Sequence, residues 1–113
     1  MEHENDSKLL RKDLAIAHRL LAHYKMDELT WNHSSVRDPT NGSFLITPGN
    51  KHFACIEPGD LVDGNTKDLK NITGNVIHGA VYQGRTDVNA IVHCHTPATV
   101  FISCLPDKLK LYT

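Results

Sequence analysis

The sequence predicts a layered α/β domain, with helices on both sides of a mixed, partly antiparallel sheet. Stretches with helical periodicity alternate with short strand candidates along the chain, as in α/β folds. Asp38-Pro39-Thr40-Asn41-Gly42 is typical of a hairpin turn, because proline presets one turn angle and Asn-Gly tolerates positive φ. Residues 88–95 form the strongest strand candidate. They are apolar on both faces until the end, which predicts a strand buried between helices.

The first helix is predicted over about residues 7–25. Its apolar residues recur at steps of three and four and therefore share one face. Residues 1–6 are expected to be disordered, so the domain is predicted to span residues 7–113. The last five residues, 109–113, alternate like a strand that stops in mid-pattern. The chain is therefore expected to be a fragment, truncated on its C-terminal side.

The remaining predicted elements are short. Thr96 can cap a third helix, with Pro97 in its favoured first turn. Residues 63–74 are polar and predict a surface loop. The other predicted elements are strands at 32–37, 43–47 and 60–62, a helical turn at 53–56 and a second helix at 75–83.

Composition excludes several classes of function. The net charge is −1 and the basic residues are scattered, so no nucleic-acid surface is expected. No run of about 18 apolar residues is present, which argues against a membrane span, and the charged N-terminus does not resemble a secretory signal. The three cysteines, Cys55, Cys94 and Cys104, are interpreted as free buried thiols in a reducing compartment. A cytoplasmic location is therefore predicted.

His93-Cys94-His95 is the candidate site for chemistry. Residues i and i+2 of a strand project from the same face, with Cα atoms about 6.5–7 Å apart. Two imidazoles at that spacing can converge on one ion at a Zn–N distance of about 2.0–2.1 Å. The alternative is a strand end with two polar residues near water, and the spacing alone does not exclude it. Cys94 lies on the opposite face and is interpreted as an inert buried thiol.

Six motifs in order give the chain a family resemblance. It resembles the class II aldolase/adducin superfamily, to whose adducin-like branch it is most similar. The matching segments are Leu14–Leu21, Trp31–Arg37, Phe44–Gly49, Ile56–Val62, Ile77–Tyr82 with Arg85–Val88, and Val92–Pro97.

The resemblance implies a site for a divalent metal of the zinc type. His93 and His95 map onto two of the family's three histidine ligands, and the third would lie beyond Thr113. In family aldolases and epimerases the metal is a Lewis acid that binds substrate oxygens and stabilises an enediolate. The resemblance also implies homo-oligomers with sites at subunit contacts.

The resemblance implies a phosphate-binding region as well, since polar residues of the chain map near the phosphate loop of phospho-sugar members. Hydroxyls and loop N–H groups suit an anion. Without the family match, these residues would be interpreted as ordinary turn and strand-end polar groups. They are Asn32, His33, Ser35, Thr47 and Gly49.

The chain departs from the aldolase branch at Gly74. That branch carries a catalytic Glu four residues before the helix histidine, here His78, and glycine has no group that could transfer a proton. The catalytic residue is therefore unknown. The third metal ligand is also missing, and His78, His33 or His52 could substitute, with His78 best placed by helix geometry.

Two functions, and a third possibility, remain open from the sequence. One is a metal-dependent lyase, epimerase or dehydratase acting on small sugar-like or hydroxy-acid substrates. Another is a non-catalytic, adducin-like module for assembly or cytoskeletal association, which Gly74 favours. The third is an inactive truncated remnant that depends on a missing C-terminal half.

Overall fold

The computed structural model describes residues 2–107 and residue 110. Within those residues it contains three α-helices and four strands, so the predicted α/β class is confirmed. The strand predicted at residues 109–113 lies outside the described residues, apart from Lys110. In chain order the elements are α1 (Glu2–His23), β1 (His33–Asp38), β2 (Ser43–Ile46), 3-10 turns at Phe53–Cys55 and Pro58–Asp60, β3 (Val62–Asp63), α2 (Ile72–Gly84), β4 (Ala90–His93) and α3 (Pro97–Ser103).

The described strands form one sheet in the order β3-β2-β1-β4. The predicted hairpin joins β1 to β2, where Asp38 pairs with Ser43 and Gly42 has a φ of 70°. Every described pairing is antiparallel, where the sequence predicted a mixed sheet. The reason is that the chain returns through α2 to the outer side of β1 and runs against it.

The side chains of β2 alternate between two hydrophobic clusters on opposite faces of the sheet. Leu45 packs in a cluster with Leu14 of α1 and with Phe53. Phe44 packs on the other side in a cluster with Tyr82 of α2. All four residues of β2 are buried. α1 and α2 therefore cover opposite faces, which gives the layered arrangement that the sequence predicted.

Two helices begin earlier than the sequence predicted. α1 starts at Glu2, so the backbone of residues 2–6 is helical rather than disordered. An ion pair of 2.9 Å between Glu4 and Lys8, one turn apart, supports this first turn. α2 starts at Ile72 rather than at residue 75, because the side chain of Asn71 accepts a hydrogen bond from the Gly74 N–H at 2.9 Å and caps the helix.

β4 is an exposed edge strand, so the prediction of a buried strand is wrong for the described residues. Ala90, Val92 and His93 are exposed, and Val92 keeps 54% of its surface accessible. Among the described strands only β1 pairs with β4. The apolar composition of this segment predicted burial, but the sheet order places it at the edge.

The cysteine environments also differ from the prediction. Cys55 and Cys104 are exposed and Cys94 is half-buried, although all three are free as expected. Among the described residues, no helix combines the length and the apolar character that a membrane crossing requires.

Candidate metal centre

Four histidines from three parts of the chain meet at one end of the sheet. The antiparallel register places His33, the first residue of β1, opposite His93, the last residue of β4. Their rings stack, with centroids 4.5 Å apart and planes 13° apart. His78 of α2 lies against His33, and His95 lies against His93, with ring centroids at 4.7 and 4.8 Å.

His93 and His95 turn their Nε2 atoms toward each other. The two nitrogens are 2.8 Å apart. They lie on the wall of a cavity of about 600 Å³ that is also lined by Glu28, Trp31 and residues of α3. Cys94 lines the same cavity, although the sequence placed it on the opposite face. The pair therefore presents two ring nitrogens toward a solvent-accessible space large enough for a small molecule.

Glu28 contacts His95 at the ring nitrogen that faces away from His93. Its carboxylate lies 3.0 Å from the Nδ1 atom of His95. An ionised carboxylate can only accept, so Nδ1 carries the proton and a neutral His95 keeps its lone pair on Nε2. The backbone N–H of His95 also donates to the Met26 carbonyl at 2.9 Å. The sequence analysis did not single out Glu28, because nothing in its local pattern distinguishes it from a surface glutamate.

A buried hydrogen-bonded chain runs behind the exposed pair. His33 Nδ1 is 2.8 Å from His78 Nε2, and His78 Nδ1 is 2.6 Å from the Ser35 hydroxyl. That hydroxyl also contacts the Tyr82 hydroxyl at 2.8 Å. His33 and His78 expose 2% and 0% of their surfaces. Such a chain satisfies the polar groups that burial would otherwise leave unpaired.

Burial keeps these two imidazoles neutral. Loss of solvent, together with the neighbouring imidazoles of His93 and His95, lowers the pKa of His33 to about 4. The same loss of solvent, with the neighbouring His33 and His93, lowers the pKa of His78 to about 4. Burial and the nearby His95 also lower the pKa of His93. Near pH 7, His33 and His78 therefore carry no charge that would repel a cation.

Gly74 leaves the space that His33 occupies. A Cβ atom at position 74 would lie 2.6 Å from Cγ and 2.9 Å from Cβ of His33, closer than such atoms approach in real structures. Any larger residue at 74 would therefore displace the His33 ring.

The five residues that the resemblance placed near a phosphate loop have internal partners. The hydroxyl of Thr47 binds His18 Nε2 and the Ser34 N–H, each at 2.7 Å. Ser35 belongs to the buried chain, and the Asn32 carbonyl oxygen accepts from the Glu28 N–H. The Gly49 N–H donates to the Leu69 carbonyl at 3.1 Å. In the part of the chain that the structure describes, none of the five lines the cavity beside His93 and His95.

The donor set fits a divalent metal in part. Two imidazole nitrogens with a carboxylate behind one of them are typical of zinc sites. Between residues 2 and 107, however, no group of three or more His, Cys, Asp or Glu side chains is arranged to hold a metal. His78 uses both ring nitrogens in the buried chain, so it is not free to be the third ligand.

Comparison with known proteins places this arrangement in a family. The profile described as the Class II Aldolase and Adducin N-terminal domain matches residues 12–113. A Pseudomonas aeruginosa protein provisionally named a class 2 aldolase is 37% identical over 102 residues, covering 83% of this chain and 39% of that protein. Mouse alpha-adducin is 33% identical over 114 residues, covering 91% of this chain and 16% of that protein.

Solved structures agree with this match. An aldolase II superfamily protein from Pseudomonas syringae superposes with a TM-score of 0.81 at 31% identity, covering 88% of this chain and 44% of that one. L-fuculose 1-phosphate aldolase from Glaciozyma antarctica gives a TM-score of 0.85 at 28% identity, covering 95% of this chain and 48% of that one. The chain spans less than half the length of each of these relatives.

Proposed function

The chain belongs to the class II aldolase and adducin family, and from that membership we propose that it binds a divalent metal ion, zinc, through His93 and His95. The proposed activity is that of a lyase, epimerase or dehydratase acting on small sugar-like or hydroxy-acid substrates. The similarity to an L-fuculose 1-phosphate aldolase supports this substrate class.

The convergence of the two Nε2 atoms is the observation that carries the proposal. Two nitrogens that bind one tetrahedral zinc ion at about 2.0–2.1 Å are about 3.3 Å apart. The observed separation of 2.8 Å therefore needs the rings to part by only about half an ångström. Imidazole nitrogens suit zinc better than they suit magnesium or calcium, which prefer oxygen ligands.

The surrounding residues have distinct roles in this proposal. When bound, the metal would supply a Lewis acid that polarises a substrate oxygen. Glu28 orients His95, and the neutral His33 packs behind His93. Trp31 and Thr99 line the cavity that would admit the substrate. Binding of a substrate phosphate by Asn32, His33, Ser35, Thr47 and Gly49 stays a prediction.

Zinc binding is the first test. Equilibrium dialysis of the metal-stripped chain should give zinc binding that falls at least tenfold in His93→Ala and in His95→Ala. His23→Ala is the matched control, because His23 is an exposed histidine at the end of α1 and is not among the candidate ligands. Equal zinc binding by the wild type and both site variants would overturn the metal site.

A second candidate function is a non-catalytic, adducin-like module. Gly74 favours it, because glycine has no proton-transfer group and a larger residue at this position would collide with the His33 ring. The similarity to alpha-adducin supports it as well. Retro-aldol turnover of a panel of sugar phosphates, lost in His93→Ala, would favour the enzyme. Zinc bound at His93 and His95 without turnover would favour the module.

Both candidate functions involve association of this chain with other polypeptide. The edge formed by β4 and α3 exposes Val92, Val100, Phe101, Ile102 and Leu105. Several exposed large apolar side chains close together in the sequence are typical of an interface. We therefore propose that this edge is covered by a second copy in a homo-oligomer or by additional polypeptide. Light scattering of the purified chain would test self-association.

A further inference from the structure

We propose that Glu28 is a positioning residue that fixes the proton of His95 on Nδ1 and so directs the Nε2 lone pair toward a divalent cation. The inference rests on the proposed function for the identity of that cation. The geometry that carries it involves only residues of this chain, on the loop that joins α1 to β1 and on the segment that follows β4.

Two contacts join this loop to His95. The carboxylate of Glu28 accepts from Nδ1 at 3.0 Å, and the Met26 carbonyl accepts from the His95 backbone N–H at 2.9 Å. One contact fixes the position of the backbone and the other fixes the ring. A neutral imidazole has a single N–H, so a proton held on Nδ1 leaves Nε2 as an acceptor.

The loop itself is built to hold Glu28 in place. Lys25 and Leu29 adopt left-handed backbone conformations, with φ of 55° and 48°, which side-chain-bearing residues rarely adopt. Such conformations persist only where surrounding contacts determine them. Here the Glu28 N–H donates to the side chain of Asn32, and the Glu28 carbonyl accepts from the Trp31 N–H at 3.1 Å.

Asn32 anchors this arrangement from inside the protein. It is fully buried at the start of β1, next to His33. Its side-chain oxygen therefore connects the loop to the strand that pairs with β4. Asn32 thereby acquires a role different from phosphate binding: it holds the backbone of the residue that orients His95.

The proton on Nδ1 also determines the contact between His93 and His95. A His95 that accepts at Nε2 requires His93 to donate across the 2.8 Å gap in the absence of a cation. A cation that binds both Nε2 atoms takes the place of that shared proton, and the proton of the neutral His93 moves by exchange with solvent to its Nδ1. Without Glu28, His95 could carry its proton on Nε2 and would then face the cation with an N–H group.

The test measures the tautomer and the affinity separately. Long-range ¹⁵N–¹H spectra of the ¹⁵N-histidine-labelled chain in EDTA should show His95 in the Nδ1–H form. In Glu28→Ala that preference should be lost, and zinc affinity should fall about 10–100-fold, as for other carboxylates behind a histidine ligand. Glu28→Gln, which retains an acceptor oxygen, should keep part of the Nδ1–H preference and part of the zinc affinity.

Glu4→Ala is the matched control, because it removes another exposed carboxylate, in the first turn of α1, whose ion pair among the described residues is with Lys8. An unchanged His95 tautomer in Glu28→Ala would overturn the inference, and so would an altered tautomer with unchanged zinc affinity. If the wild type bound no zinc, the proposed function would fail, while the tautomer spectra would still decide whether Glu28 sets the His95 proton. Amide spectra that superpose outside the loop establish that the variant is folded.

Discussion

The molecule contains two pairs of histidines, one buried and one at an exposed edge. His33 and His78 are buried between β1 and α2, and one ring nitrogen of each contacts the other ring. His93 and His95 lie at the end of an edge strand, with their Nε2 atoms on a cavity wall. The same side chain is thus a structural polar group in one place and a candidate ligand in the other. Burial makes the difference, because three of the four ring nitrogens have a hydrogen-bond partner in each pair.

Removing one histidine from each pair should give the largest contrast. His78→Ala leaves a cavity and leaves Ser35 and His33 without their partner, so the free energy of unfolding should fall by about 3 kcal/mol. His93→Ala removes an exposed ring and should change the free energy of unfolding by less than about 0.5 kcal/mol. Urea unfolding in EDTA measures both. Equal losses would contradict the division between a structural and a ligand pair.

Acid should destabilise the protein through the buried pair. The folded-state pKa of His33 and of His78 is about 4, against 6.5 for an unperturbed histidine. The unfolded chain therefore takes up protons below pH 6.5 that the folded protein does not bind until about pH 4. The two neutral imidazoles therefore make their full contribution to the free energy of unfolding above pH 6.5. This contribution falls as the pH drops, by roughly 3 kcal/mol between pH 7 and pH 5.

Urea unfolding at both pH values measures this loss. His78→Gln should show a smaller loss of stability between pH 7 and pH 5, whereas His95→Ala should show nearly the same loss as the wild type. The part that remains in His78→Gln comes from His33 and from the buried His18, whose pKa is also lowered by burial. A free energy of unfolding that does not change from pH 7 to pH 5 would show that the buried imidazoles accept protons readily.

The smallest expected effect separates Gly74 from Gly79, two of the three glycines of α2. Gly74→Ala should cost about 1–3 kcal/mol, because its Cβ would collide with the His33 ring. Gly79→Ala is the matched control. A Cβ there meets only Phe44 atoms at 3.9 Å, so the gain in helix propensity should stabilise the protein by up to about 1 kcal/mol.

A double-mutant cycle identifies the collision partner. In a His33→Ala background, Gly74→Ala should lose most of its cost, which gives a coupling energy of about 1 kcal/mol or more. Absence of coupling would mean that the glycine is required for another reason. The zinc affinity of the same four proteins would show whether the displaced His33 ring disturbs His93.

Local patterns were enough to predict several features. The Asn-Gly turn predicted the β1–β2 hairpin, and the apolar spacing predicted the α1 face that packs on the sheet. The spacing of His93 and His95 predicted that their side chains lie together, as they do, although β4 ends at His93 and His95 lies beyond it. Each of these depends on residues within a few positions of one another, where backbone geometry decides the outcome.

Contacts between distant segments were not predictable in the same way. Burial of β4 was expected from its apolar composition, but the sheet order put it at an edge. Glu28 lies 67 residues from His95, and no spacing rule connects them. The stacking of His33 on His93 follows from the antiparallel register of β1 and β4, which the strand sequences do not specify by themselves.

The sequence by itself determined the fold class, the family and the position of the histidine pair, because periodicity, turn residues and ordered motifs are local properties of the chain. Only the tertiary structure decided what each histidine faces. It buried His33 in the space left by Gly74, satisfied His78 from both sides and left His93 and His95 at an open edge with Glu28 behind them. These outcomes depend on packing between segments 40 to 70 residues apart, where burial and partner geometry set the protonation and availability of each ring.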